Sequence, residues 1–291
     1  MKYITIAEMA ETIRKNFYKI PHDIDFVIGI PRSGIMCASI ISEFLNVPLI
    51  DVNSFVHGDS PTGGLRLKYS KQYNRKKKKA LVVDDTVFNG TNNNKVRQQL
   101  EPLKEKYDFV YMVVYLEGRG IDCVDLYLED VRKYTDNFTS IVLYEWNIFH
   151  HHEGFMSKCM YDIDGVLCVN PPDERNEKEY IDYIKNAVPL FTPTVKIGEI
   201  VSYRLSKNEP ITKEWLNKNG IQYNKLTLFN ANTWEERNRS GISPEKMKGN
   251  HYKQQNWAKL FVESDDFQAK KIFEISGKPV YCVESNKLYS K

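Results

Sequence analysis

No apolar run in the 291-residue chain approaches the roughly 18 residues that a membrane-spanning helix needs, so no membrane association is expected. The opening stretch, MKYITIAEMAETIRKNF, is amphipathic and lacks the apolar centre of a secretory signal. Cysteine is scarce. There are 5, an odd number with no CxxC pair, which argues against a disulfide framework or zinc ribbon and points to a reducing, cytoplasmic setting. A charge excess is missing as well. The 41 Lys and Arg nearly balance the 38 Asp and Glu, so a nucleic-acid partner is not expected.

What is present is a rhythm of short apolar runs and longer helical patterns. DFVIGI, VPLIDV, ALVVDD, DFVYMVVYL and TSIVLYEW are apolar on both faces, as strands inside a parallel sheet are. GIMCASIISEFL and NNNKVRQQLEPLKEKY have helix length and lie between them. After Trp146 the rhythm restarts with KCMYDID, KIGEIVSY, KLTLFN, KLFVE and KPVYCVE. Four helical stretches separate these: ERNEKEYIDYIKNA, EPITKEWLNKNG, PEKMKGNHYKQQNWA and DDFQAKKIFEISG. The length suits two domains. The expected class is α/β, with two Rossmann-like units of mainly parallel sheet over residues 1–150 and 157–291. NIFHHHEGFMS is the expected junction.

Ligands of open α/β sheets sit beyond the carboxyl ends of the strands. ALVVDDTVFNGTNNN places Asp84 and Asp85 there, followed by a small polar loop with Gly90 and a helix from about Thr91. Two carboxylates suit vicinal ribose hydroxyls, and loop amides at a helix N-terminus suit a phosphate. FVIGIPRSGIM is a second strand-to-helix loop, with Arg32, Ser33 and Gly34. The basic stretch SPTGGLRLKYSKQYNRKKKK between them can close over a charged substrate.

VVDDTVFNGT resembles the phosphoribosyl pyrophosphate (PRPP) motif of type I phosphoribosyltransferases, and IGIPRSG resembles that family's pyrophosphate loop. The resemblance covers about residues 1–150. It implies that Asp84 and Asp85 hold the ribose hydroxyls. Thr86 through Thr91, with Asn89 where Ser or Thr is more usual and Gly90 beside it, would hold the 5-phosphate. Arg32, Ser33 and Gly34 would line the pyrophosphate site with Mg²⁺. A nucleobase-like acceptor would displace pyrophosphate from the ribose.

KCMYDIDGVLC ends an apolar strand with Asp162 and Asp164, two apart and on one face, before Gly165. Paired carboxylates of this kind can coordinate Mg²⁺ and divide nucleophile and acid/base roles. The segment resembles the DxDG signature of haloacid-dehalogenase-like (HAD) phosphatases, a likeness extending over about residues 157–291. It implies Asp162 as nucleophile, Asp164 as acid/base, and Ser202 in EIVSYR as the phosphate-binding hydroxyl. Glu263 and Asp266 in KLFVESDD would join Asp162 and Asp164 as metal ligands, with Asp265 the alternative to Asp266. Lys253 is the expected charge-neutralising lysine, with Lys248 and Lys259 as alternatives. The short interval from Asp164 to Ser202 leaves room for little or no cap.

The motifs together imply a bifunctional enzyme of small phosphorylated metabolites. PRPP-dependent phosphoribosyl transfer would be joined to hydrolysis of a phosphate monoester, with Mg²⁺ as cofactor and a homo-oligomer left open. The alternative is a PRPP- or nucleotide-sensing first domain that regulates the phosphatase. His150, His151 and His152 read as linker or interface, Arg75 to Lys79 as a solvated loop edge, and Cys168 as buried and inert. Trp146 and Phe149 suit base stacking or packing equally.

Overall fold

The computed structural model describes residues 1–134, 141–172 and 176–291. It divides into two compact units, Lys2–Trp146 and Asn147–Lys291, the second joined by Met1. The first unit runs β1 (Lys2–Ile4), α1 (Ile6–Lys15), β2 (Phe26–Gly29), α2 (Ser33–Leu45), β3 (Leu49–Asp51) and α3 (Val52–Val56). It continues with β4 (Lys78–Val87), α4 (Thr91–Leu100), β5 (Tyr107–Leu116), β6 (Leu126–Asp130) and β7 (Val142–Tyr144). Its main sheet has the order β3-β2-β4-β5-β6, parallel throughout, and β1 pairs with β7.

Alternation along the strands explains why both faces are covered. Val27, Leu81, Val83, Met112 and Val114 point one way and pack with Met9 and Ile13 of α1 and Ala38 and Ile41 of α2. Phe26, Ile28, Ala80, Val82 and Tyr111 point the other way and pack with Phe55, Val96 and Leu100. A Thr5–Glu8 capping box starts α1. Three strands depart from the sequence reading. β1 lies in the stretch read as amphipathic, β6 lies between DFVYMVVYL and TSIVLYEW where no strand was read, and TSIVLYEW yields only Val142–Tyr144. Thr139 and Ser140 lie outside the described residues.

The second unit runs α5 (Glu153–Met156), β8 (Cys159–Tyr161), α6 (Glu177–Asn186), β9 (Ile197–Leu205), α7 (Glu209–Lys218) and β10 (Tyr223–Phe229). Then come α8 (Trp234–Arg239), α9 (Pro244–Gln254), β11 (Leu260–Glu263), α10 (Asp266–Ser276), β12 (Val280–Cys282) and β13 (Lys287–Tyr289). The sheet order is β10-β9-β8-β11-β12-β13, parallel except for β13. In α7, Trp215 and Leu216 are buried while Ile211 is only half-buried, and Gly220 adopts φ +68° just past the helix. Glu174 and Arg175, read as the start of α6, lie outside the described residues. No helix among the described residues is long and apolar enough to cross a membrane. The protein is thus α/β, with one large, mainly parallel sheet in each unit and the small β1–β7 pair in the first.

Candidate active sites

The two glycine-bearing loops of the first unit meet at the carboxyl edge of its sheet. β2 and β4 are neighbours, with Gly29 opposite Val83, so the turn after β2 faces the acids of β4. The contact is close at Gly34. A Cβ there would stand 2.7 Å from the Val83 carbonyl oxygen and 3.0 Å from Asp84 Cα. Arg32 is exposed beside it, Ser33 opens α2, and the Pro31–Arg32 peptide is cis.

Asp84 and Asp85 are each 7% exposed. Asp84 Oδ2 accepts from Asn92 Nδ2 at 3.3 Å, and Asp85 Oδ2 accepts from Trp146 Nε1 at 2.6 Å. Burial, and then the charge of Asp85, push the Asp84 carboxyl well above its usual range. The phosphate loop is shorter than the sequence implied. β4 continues through Val87, so Thr86 is a half-buried strand residue and the loop begins at Phe88. Asn89, Gly90 and Thr91 are brought together at the start of α4, where Asn89 Oδ1 accepts from the Thr91 amide at 3.1 Å. Gly90 has φ +78°, and a Cβ there would lie 2.1 Å from Cys123 Sγ. Only glycine fits. Asn92 and the Trp146–Asp85 bond were not foreseen, because a side chain's partner across 61 residues leaves no periodic trace in sequence.

The basic run is drawn back onto its own unit. Arg75 pairs with Asp23 and Asp25 at 3.2 and 3.1 Å, and Lys79 with Asp23 at 2.8 Å.

The phosphoribosyl transferase domain family matches residues 2–107, a span that holds both loops and the acid pair. Residues 2–107 are a phosphoribosyl transferase domain. The chain is 30% identical over 115 residues to a xanthine-guanine phosphoribosyltransferase of Chromohalobacter salexigens, covering 38% of this chain. It spans 65% of the length of that curated relative. Among solved structures, an orotate phosphoribosyltransferase from Aeropyrum pernix matches at 19% identity and TM-score 0.32, covering 44% of this chain and 71% of its own. A xanthine-guanine-hypoxanthine phosphoribosyltransferase from Helicobacter pylori matches at 13% identity and TM-score 0.35, covering 50% of this chain and 94% of its own. The family match leaves residues 108–291 unassigned.

Beyond the phosphoribosyl transferase domain, a second cluster forms where β8, β9 and β11 lie side by side. Asp162 follows β8 and Glu263 ends β11. Lys248 Nζ, from α9, donates to Asp162 Oδ2 at 2.7 Å, to Glu263 Oε2 at 2.8 Å and to Gln268 Oε1 at 3.1 Å. Burial opposes the Lys248 charge, but the two carboxylates prevail and hold its pKa above the usual lysine range. Lys253 does not join this cluster. Five residues along α9 turn it roughly 140° away, since a helix advances 100° per residue, and it is exposed.

Arg204, unremarked in the sequence, is the other cation. Its Nη2 and Nε reach Asp164 Oδ1 at 2.5 and 3.2 Å, and Tyr183 Oη donates to the same oxygen at 2.6 Å. Burial would raise the Asp164 pKa, but Arg204 first and Tyr183 next hold it below the usual carboxylate range. Ser202 is wholly buried and its Oγ accepts from the Arg204 amide at 3.3 Å. β9 runs on to Leu205, so Arg204, two residues past Ser202, stands nearer the strand end and lines the cavity. Burial pushes the Cys168 thiol up to about 12.

The last expected ligand also lies elsewhere. Asp266 Oδ1 accepts from Tyr289 Oη at 2.7 Å, turned toward β13, whereas Asp265 N-caps α10 and lines a cavity of about 520 Å³. Asp162, Asp164, Asn170, Arg204 and Lys248 share that cavity. Among the described residues no group of three ligating side chains is set to hold a metal, so the four-acid metal set is not assembled. The two acids that Lys248 draws together, Asp162 and Glu263, offer hard oxygen donors. That chemistry fits Mg²⁺, which usually takes one or two carboxylates and keeps several waters.

Proposed function

We propose that the chain is a bifunctional enzyme, with the first unit a type I phosphoribosyltransferase-like domain and the second a HAD-like phosphatase domain with little or no cap. The first would transfer the phosphoribosyl group of PRPP to a base-like nitrogen nucleophile. The observation that carries this reading is the close approach of the Arg32–Gly34 turn to the buried acids Asp84 and Asp85. Asp84 and Asp85 would take the ribose hydroxyls, Asn89, Gly90 and Thr91 the 5-phosphate, and Arg32 and Ser33 the pyrophosphate. A base nitrogen then bonds to C1 of the ribose as the C1–O bond breaks, pyrophosphate leaves with the electron pair, and the nitrogen's proton passes to the leaving pyrophosphate or to water. The protein's part is to hold the two reactants in line and stabilise the leaving charge.

In the second unit, Asp162 would attack the phosphorus of a phosphate monoester as the P–O bond to the alkoxide breaks, and the alkoxide takes a proton from solvent water as it leaves. Water then attacks the aspartyl phosphate and restores the carboxylate. Lys248 orients the nucleophile and offsets phosphoryl charge. Asp164, the acid/base that the resemblance implies, would take the proton from that water, and Arg204 and Tyr183 hold it in place and ionised. Mg²⁺ held by Asp162 and Glu263 would further offset the phosphoryl charge. A nucleoside-like metabolite would result if the first product's 5-phosphate reaches this site.

Incubation with PRPP, Mg²⁺ and a panel of bases should release pyrophosphate, and Asp162→Asn should lower phosphate release from a monoester by about 1,000-fold or more. Unchanged phosphate release in Asp162→Asn removes the phosphatase half. A second reading, PRPP sensing without turnover, is favoured by one contact: Trp146 already occupies an oxygen of Asp85. Stoichiometric PRPP binding with no pyrophosphate release from any base would support it.

A further inference from the structure

One half-buried acid of the first unit has no task in the chemistry above. Glu117 follows β5 directly. β5 lies beside β4 with Leu116 opposite Val87, and the Glu117 amide donates to the Val87 carbonyl at 3.0 Å. The register places Glu117 at the same sheet edge as Asp84 and Asp85, one strand over.

Side chains link the two positions. Tyr144 Oη donates to Glu117 Oε2 at 3.4 Å. The Tyr144 ring packs on Trp146 with centroids 4.9 Å apart, and the Trp146 indole N–H reaches Asp85 Oδ2 at 2.6 Å. Trp146 is only half-buried, so part of its ring remains free to stack. Glu117 Oε1 has no partner among the described residues, and no Lys or Arg there pairs with it. Burial first, and the charge of Asp85 as well, push the Glu117 carboxyl up to about 7. A half-buried carboxyl with a raised pKa, no cation partner and a free oxygen at the sheet's carboxyl edge is placed to meet a ligand.

Resting on the transfer reading above, we propose that Glu117 reads the acceptor, which is an uncharged nitrogen heterocycle with an exocyclic amino group that donates to Glu117 Oε1 while the ring stacks on Trp146. The same carboxyl would repel a ring that carries a carboxylate. Asp85, at the same edge one strand over, acts in the same direction. Glu117 is thereby a specificity residue. The nitrogen that bonds to the ribose lies elsewhere on the ring, and no proton moves through Glu117.

The test uses the full chain with ribose 5-phosphate and Mg²⁺, which fills the sugar site and leaves no pyrophosphate to displace. Calorimetry then measures adenine, guanine and cytosine against orotate and nicotinate, with PRPP titrated separately. At least one amino-bearing base should bind more than about tenfold tighter than either carboxylate-bearing ring, the scale of one hydrogen bond to an ionisable group. Glu117→Leu should lose that preference, whereas Glu117→Gln, which keeps an acceptor oxygen, should bind the amino base within a few-fold of the parent. Equal or tighter binding of orotate or nicotinate overturns the assignment, as does an unchanged preference in Glu117→Leu. PRPP that binds while no amino preference exists removes this inference alone. Failure of PRPP itself to bind removes the transfer reading and this inference with it.

Discussion

Lys248 shows how much of the second unit's site depends on one ammonium group. It holds Asp162 and Glu263 together, and all three side chains are nearly inaccessible. Replacing it with methionine leaves two buried carboxylates without a cation, so Lys248→Met should lower unfolding free energy by about 3–5 kcal/mol in urea titrations. Lys253→Met, on the exposed side of the same helix, should leave the urea midpoint almost unchanged. The sequence could not separate these two lysines. PEKMKGNHYKQ has polar residues all round, and its inward face holds Lys248, Gly249 and Tyr252, so no apolar stripe marks it. Asp162 and the acid pair Asp84 and Asp85 were legible for the opposite reason, since each closes an unbroken apolar run. Gly90 was also legible, as a glycine between strand and helix. Gly90→Ala should cost at least about 1–2 kcal/mol from the left-handed backbone alone, with more from the Cys123 contact, read as a lower melting temperature.

At the level of elements, strands that carry an apolar run were readable, and β1, β6 and β13 were not. β4 over Ala80–Val83 and β5 over Phe109–Leu116 carry apolar residues on both faces, and that pattern has few alternatives. β1 and β13 are three residues each, too short for any period, and exist because a partner strand supplies their hydrogen bonds. β9 carries a further device that the sequence concealed. Glu199, 1% exposed, accepts from Thr227 Oγ1 of β10 at 2.6 Å and is bonded to His251 Nε2 of α9 at 2.9 Å, with Lys225 Nζ at 3.0 Å. Burial opposes its charge, but the bonds from His251, Thr227 and Lys225 prevail and bring its pKa down to about 2. A carboxylate whose folded pKa lies below its unfolded value of about 4.5 stabilises fully above that value, and the effect is lost as pH falls toward 2. Glu199→Gln should therefore lose at most about 3 kcal/mol at pH 7 and show a flatter decline between pH 4.5 and 2, measured by urea unfolding across that range.

Across the whole molecule, each unit has its own packed interior. Val27, Leu81 and Met112 belong to one, and Met160, Val201 and Phe261 to the other. Residues 1–146 and 147–291, made as separate chains, should each melt cooperatively by circular dichroism. A net charge of only +3 is compatible with anion binding because the relevant groups are local: a glycine turn, a helix start, Arg32 and Lys248. The central claim is that the first unit recognises PRPP through its buried acid pair. Its most direct measurement is calorimetric titration of PRPP with Mg²⁺ into the full chain and into Asp84→Asn/Asp85→Asn. The account predicts one site per chain in the parent and at least a roughly 100-fold weaker one in the variant, the scale of losing two charged hydrogen-bond acceptors. No heat of binding in the parent, or equal affinity in the variant, would contradict it.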